Sequence, residues 1–280
     1  MSYRKGDFMS GRITQCIQQS FRYRTQLQTM LLMALVVSGL TACMVTTENF
    51  KPLTPVLLVT VTPSSTIPPP VKQSIPENWE FRWLKGIPCR PPCWEGITPG
   101  LTSATEAVKI LTGNSLISSA EMSTSPLDPS TGYVYWYWSN GQDGGAAYYP
   151  AQTPTQIISD IFPYFRKQFE LRELIQAFGD PTHVVAIASQ APDAPRIFYH
   201  IWFVYLPNGL ALATGSPTKP ELNTDLLLNE VLFFAPTNEG LTKAIPPAIN
   251  HPDWVLPWQG FKSFDYYCRD ELNGKACSGK

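Results

Sequence analysis

Four of the six cysteines, the three histidines and one strongly aromatic strand carry most of the chemistry to be expected of this 280-residue chain. Cys89 and Cys93 are spaced Cys-x-x-x-Cys, and Cys268 and Cys277 lie near the end of the chain. Such a set has three readings. In an oxidising compartment it forms structural disulfides. Kept reduced, Cys89 and Cys93 are a redox site, since paired thiols can have shifted pKa values; the spacing is one residue longer than Cys-x-x-Cys. With a distant histidine the same pair can hold copper or zinc. Four cysteines allow three pairings; short loops close most readily, which favours Cys89–Cys93 with Cys268–Cys277. His183, His200 and His251 are scattered, without a His-x-x-x-His spacing, and are expected in structural or surface roles. The chain has no Gly-x-Ser-x-Gly elbow, no His-Glu-x-x-His and no Walker-type loop. Residues 140–145, Asn-Gly-Gln-Asp-Gly-Gly, lack the Lys-Ser/Thr of a phosphate loop and read as a hairpin turn. The expectation is a protein that is not an enzyme, with no catalytic residue, cofactor or metal.

The aromatic strand contains Tyr133, Val134, Tyr135, Trp136, Tyr137 and Trp138. Strand alternation sends the three tyrosines to one face and Val134, Trp136 and Trp138 to the other. One face must be core. The other is either packed against further structure or an exposed binding surface formed by Tyr133, Tyr135 and Tyr137, whose rings can stack on sugars or anchor a protein partner. Complete burial of the tyrosine face would exclude the second reading.

The elements that position these residues begin with the N-terminus. Arg4, Lys5, Arg12, Arg22 and Arg24 precede an uncharged apolar run, residues 30–40, which ends in Leu40-Thr41-Ala42-Cys43. A basic flank, a short apolar core and small residues before a cut site are the parts of a secretory signal peptide. A membrane-spanning helix needs about 20 apolar residues, more than this run supplies. Residues 40–43 resemble the lipobox of bacterial lipoproteins. The resemblance implies cleavage before Cys43 and a lipid on its thiol; the alternative is ordinary cleavage with an incidental cysteine. Two or more acyl chains anchor stably, whereas one does not. The chain is therefore expected at the extracytoplasmic side of the cell membrane. Its expected partners are the membrane, through the anchor, and a protein or another envelope component.

Losing residues 1–42 removes five basic residues and one acidic residue, leaving 16 Lys+Arg against 21 Asp+Glu, a net charge of −5. A mildly acidic domain without a basic cluster is a poor nucleic-acid binder. Residues 43–78 are rich in proline and threonine, with prolines at 52, 55, 63, 68, 69, 70 and 76. Such composition favours an extended, semi-rigid tether. The apolar patch at residues 56–61 interrupts it.

Within the head, residues 79–280, three segments recur in the same order. Residues 105–115 align with 172–181, 137–141 with 205–209, and 160–165 with 230–235, a spacing of 66 to 70 residues. Each copy starts with a helix. Ser103 and Glu106 form a capping box for the first, Ala107, Ile110 and Leu111 give it an apolar face, and Gly113 is expected to end it in a left-handed conformation. The second runs through Leu171, Leu174, Ile175 and Phe178 to Gly179, and Pro181 prevents its resumption. Strands follow at 184–188, 198–205, 210–214 and 230–234, with Asn208-Gly209 as a hairpin signal matched by Asn140-Gly141 in the first copy. The expected fold is α+β: two tandem helix-plus-antiparallel-sheet repeats, 79–168 and 169–243, packed together, and a Pro/Trp-rich tail, 244–280, wrapped onto them.

Gly100, Thr102, Glu106, Val108, Leu111 and Gly113, followed by strands, resemble a small helix-plus-sheet module. That module occurs in the small lipoprotein of the outer-membrane β-barrel assembly machinery and, in tandem, in β-lactamase inhibitory protein. Glu173, Phe178, Gly179 and Pro181 fit it in the second copy, which lacks the leading Gly-x-Thr; in the first, Thr112 is an insertion and Ser115 replaces a proline. The resemblance implies the α+β fold and allows an inhibitor-like role without naming a target. Residues 88–100, with Cys89, Cys93 and Trp94, are similar to a segment of uncharacterised bacterial lipoproteins, a likeness that implies no activity. The functional expectation is a lipid-anchored, non-catalytic binding or assembly module. The alternative is a redox or metal-handling lipoprotein using Cys89 and Cys93.

Overall fold

The computed structural model describes residues 79–190, 196–270 and 277. The expected signal peptide, the expected lipid site Cys43 and the expected tether lie outside the described residues. The first described element is a 3-10 turn, Trp79–Lys85. Next comes the Cys89–Cys93 loop, and then a tight turn in which Glu95 and Gly96 take positive φ angles of 52° and 88°. This turn pairs Trp94 with Ile97. Helix α1, Ala104–Thr112, starts where the Ser103 side chain accepts a hydrogen bond from the Glu106 amide at 3.3 Å. It buries Ala104, Ala107 and Leu111.

The end of α1 corrects one expectation. Gly113 is right-handed, at φ −80°, and not left-handed. The chain turns instead at Asn114, whose Oδ1 accepts the Leu116 amide at 3.0 Å while its Nδ2 donates to Glu95 Oε2 at 2.7 Å. A side chain able to mimic a backbone turn makes a left-handed cap unnecessary.

Four strands follow α1: β1, Ile117–Thr124; β2, Thr131–Trp138; β3, Asp143–Pro150; and β4, Asp160–Pro163. They form an antiparallel meander. Residues 143–145 therefore belong to a strand, and the hairpin turn is confined to residues 139–142, with Gly141 at φ 78°. A short strand β5, Phe169–Glu170, leads into α2, Leu171–Phe178, where the Glu173 carboxylate accepts the Glu170 amide at 2.9 Å. Then come β6, His183–Gln190; β7, Ile197–Tyr205; β8, Leu210–Ser216; β9, Leu227–Leu228; and β10, Glu230–Phe234. β7 and β8 are joined through a 3-10 turn, Leu206–Asn208, and a left-handed Gly209. A Cβ there would lie 2.1 Å from the Phe234 carbonyl oxygen, so the position requires glycine twice over, for its angle and for its space.

The tail does wrap onto this frame. Helix α3, Asn238–Ala244, leads into it, and the tail supplies α4, Pro246–Asn250; a 3-10 turn, Pro252–Trp254; β11, Leu256–Pro257; α5, Phe264–Tyr267; and β12, Cys268–Asp270. One ten-stranded sheet runs β1-β2-β3-β4-β10-β8-β7-β6-β11, with β12 parallel to β6 and every other pairing antiparallel. β5 and β9 form a separate pair. The fold is thus α+β with a large antiparallel sheet.

The main core lies between one sheet face and α1, α2 and Trp83. Val134, Trp136 and Trp138 point into it, as alternation requires. A second core lies on the opposite face of β6, β7, β8 and β10. There Val185, Trp202, Val204 and Phe234 are covered by Leu241 of α3, Ile245, Ala248 of α4 and Trp254. The meander β1–β4 meets β10 edge to edge at β4. The second half therefore extends the sheet and does not lie across the tyrosine face.

Candidate functional site

β2 is built from aromatic residues that favour a pleated, half-buried strand, and its neighbours are chosen to fit it. Trp136 lies flat over Gly144 and Gly145: a Cβ at Gly144 would stand 2.1 Å from Trp136 Cδ1, and one at Gly145 2.4 Å from Cζ2. On the same face Trp94 packs on Trp136 and Trp138 at ring distances of 5.0 and 6.0 Å. With the indoles fixed inward, the register turns Tyr133, Tyr135 and Tyr137 outward. Ser123, Glu121 and Ser119 of β1 stand beside them. Tyr148, Ala146 and Asp143 of β3 lie on the other side. Asp160 and Phe162 of β4 complete the row opposite Tyr148 and Ala146.

The tyrosine face is not fully buried. Tyr137 is 37% exposed and Glu121 and Asp143 are exposed, while Tyr133, Tyr135, Tyr148, Asp160 and Tyr164 are half-buried. Tyr164, just after β4, is held by its amide donating to the Gly144 carbonyl at 2.9 Å. The rings meet at an angle: Tyr135 and Tyr137 at 5.0 Å and 80°, Tyr133 and Tyr148 at 6.4 Å and 56°. Among the described residues, no helix covers this face. That is the opposite of the same sheet face across β6–β10, where α3, α4 and Trp254 sit.

The electrostatics of the face are those of phenols among carboxylates. Burial, then the hydrogen bond and charge of Asp143, hold the Tyr135 hydroxyl above its ordinary value. Burial, then Tyr164 and Asp160, raise Tyr148; burial and Asp143 raise Tyr164. These hydroxyls remain protonated donors at neutral pH. Burial pushes the Asp160 carboxyl up to about 7, against the opposing hydrogen bond from Ser159 Oγ at 2.6 Å. The sequence held a signal for this patch: residues 110–165 contain no lysine or arginine, and Glu121, Asp128, Asp143 and Asp160 fall within them.

The other expected site residues are placed elsewhere. Cys89 is bonded to Cys93 and Cys268 to Cys277, each pair with Cα atoms 5.7 Å apart. Bonded to each other, the Cys89 and Cys93 sulfurs are not thiolate ligands. Their loop leads directly into Trp94, which lies in the main core. The buried Glu95 carboxylate, bound by the Arg82 guanidinium and by Asn114, ties that loop to the first turn and to the end of α1. Among the described residues, no group of three His, Cys, Asp or Glu side chains is arranged to hold a metal.

The histidines include one pairing that spacing did not reveal. His200 Nε2 lies 3.1 Å from Glu230 Oε1, across β8 from β7 to β10. Burial raises the Glu230 carboxyl, but the charge and hydrogen bond of His200 outweigh it and the group sits below its ordinary value. His251 stacks on Trp254 at 4.0 Å, and His183, lowered by burial, contacts Thr182 Oγ1 at 3.0 Å. These contacts are local. Compared with protein-family models, with curated proteins and with solved structures, the chain matches none.

Proposed function

We propose that the protein is a lipid-anchored extracytoplasmic lipoprotein whose head is a non-catalytic binding or assembly module, engaging its partner through the face of Tyr133, Tyr135 and Tyr137. One observation carries this reading. A single sheet presents the same face in two chemistries: apolar and covered over β6–β10, aromatic and uncovered among the described residues over β1–β4. Tyrosine suits a surface that is wet when free and dry when bound, because its ring supplies contact area and its hydroxyl tolerates water. The anchor rests on residues 30–43, and among the described residues no helix is long and apolar enough to cross a membrane.

The head is further read as two copies of one unit. In its support, each of α1 and α2 carries a glutamate at the same first-turn position, Glu106 and Glu173, and precedes antiparallel strands. The central pairing, Ile161 with Phe233 and Asp160 with Phe234, is symmetric about Phe162 and Leu232. Those two residues are equivalent in the alignment of 160–165 with 230–235.

A photo-crosslinking residue placed at Tyr137 in native membranes tests the binding reading. A discrete adduct is expected from Tyr137 and none from the same probe at Glu221, away from the face. Failure to capture anything specific at Tyr137 would remove the face as a docking surface. The redox or metal alternative requires Cys89 and Cys93 as thiols, so titration of free thiols on the exported protein separates the two.

A further inference from the structure

We infer that the tyrosine face receives a cationic polypeptide segment, one carrying several lysines or arginines along an extended stretch. This rests on the reading of that face as a docking surface and names the chemistry of its occupant. Strands β1–β4 carry three carboxylates, Glu121, Asp143 and Asp160, and no lysine or arginine. All three point to the tyrosine face by register. A carboxylate beside a phenol ring is a receptor for a cationic side chain: the ring attracts the cation through its face, and the carboxylate completes a charge-assisted hydrogen bond.

Spacing favours a polymer over a small cation. Glu121 on β1 and Asp143 on β3, the two exposed carboxylates, are two strand spacings apart across the sheet and two residues apart along it, about 12 Å. No single ammonium group reaches both. A peptide crossing the strands presents alternate side chains about 7 Å apart on one side, so that several can find acidic partners in turn. Ring geometry argues against a carbohydrate. Stacked sugars need rings presented flat and side by side, whereas Tyr135 and Tyr137 stand at 80° and Tyr133 and Tyr148 at 56°. A ring set on edge narrows the stacking surface, whereas a lysine stem needs only some apolar surface to lie along.

The test uses the full chain and fluorescently labelled decalysine, with decaglutamate and a neutral chitin oligosaccharide as controls. Anisotropy is expected to show decalysine binding that weakens with salt and no binding of the controls. Glu121→Gln with Asp143→Asn should weaken decalysine binding about tenfold or more. Glu106→Gln with Glu221→Gln, acidic residues away from the face, should leave it unchanged. Should the double variant fold poorly, Ser119→Lys puts a positive charge at an exposed position of β1 and should weaken binding as strongly. Equal loss in the control variant would mean general attraction to an acidic protein and overturn the proposal. So would preference for the oligosaccharide, or sedimentation as a dimer that Ser119→Lys dissociates, which would mark the face as a contact between copies. Absence of decalysine binding with a specific adduct still formed at Tyr137 overturns the cationic occupant alone; absence of both removes the docking surface as well.

Discussion

Among the described carboxyl groups, Asp160 is one whose surroundings carry it to near-neutral pH. Its folded-state pKa, about 7, stands above the ordinary carboxylate value. The fold therefore favours the protonated form. This contribution is fully present below about pH 4 and is lost as pH rises through about 7. At pH 8 the charged carboxylate is held in a half-buried position with Ser159 as its hydrogen-bond donor. Asp160→Asn should therefore raise the melting temperature at pH 8 and change it little at pH 4. Thermal melts at both pH values check this; an equal shift at each, or a lower value at pH 8, would contradict it. Glu230 is the counter-example, since His200 provides enough charge and hydrogen bonding to overcome the same burial. Two carboxylates on one sheet face thus move in opposite directions because only Glu230 has an imidazole within hydrogen-bond reach.

At the level of elements, β3 exists because of its partners more than its sequence. It opens Asp143-Gly144-Gly145, residue types that disfavour strands. What it gains is the indole of Trp136 lying across the two glycines, which lets the β2–β3 ladder close over a tryptophan buried to 0% exposure. Burying such a ring is worth about 1.5–3 kcal/mol or more. A methyl at Gly144 would overlap Trp136 Cδ1 and Nε1 and also approach the Trp136 carbonyl oxygen at 2.8 Å, so the ring cannot escape by a small rotation alone. Gly144→Ala is expected to cost about 1–3 kcal/mol, readable as a lower urea midpoint. It should also quench or shift the tryptophan fluorescence. An unchanged midpoint would mean that Trp136 has room to move. β1 is the complementary case: a polar edge strand, mostly exposed, held by its ladder to β2 and by α1 packed behind its first residues.

For the whole molecule, the two ends of the sheet are treated differently. At the far end, β11 and β12 of the tail lie along β6, and the Cys268–Cys277 bond holds the chain at that point. Phe264 and Tyr267 drop from the tail into the main core, with the Tyr267 hydroxyl donating to the Gly260 carbonyl at 2.8 Å. At the near end, the tyrosine face and β1 are left to solvent among the described residues. The proposed anchor is itself testable. Cys43→Ser should move the protein from the membrane fraction to the soluble extracytoplasmic fraction, and mass spectrometry of the wild-type mature chain should find acylated Cys43. Continued membrane association of the variant would sever the anchor from Cys43.

Local pattern was enough to place α1, α2, β2, β6, β7, β8 and β10, because helix and strand periodicities are properties of neighbouring residues. It was also enough to set the three tyrosines against Val134, Trp136 and Trp138, and to favour the two short disulfide loops that the structure contains. β1 and β3 stayed hidden because a polar edge strand and a glycine-rich strand have no pattern of their own and depend on pairing across the sheet. His200 with Glu230, and Glu95 with Arg82 and Asn114, were hidden for the same reason, being contacts between residues distant in the chain. Alternation decides which residues share a face, but only tertiary structure decides what lies over it. Here α3 and α4 close one half of the sheet, and on the other the tyrosine rings lie among Glu121, Asp143 and Asp160.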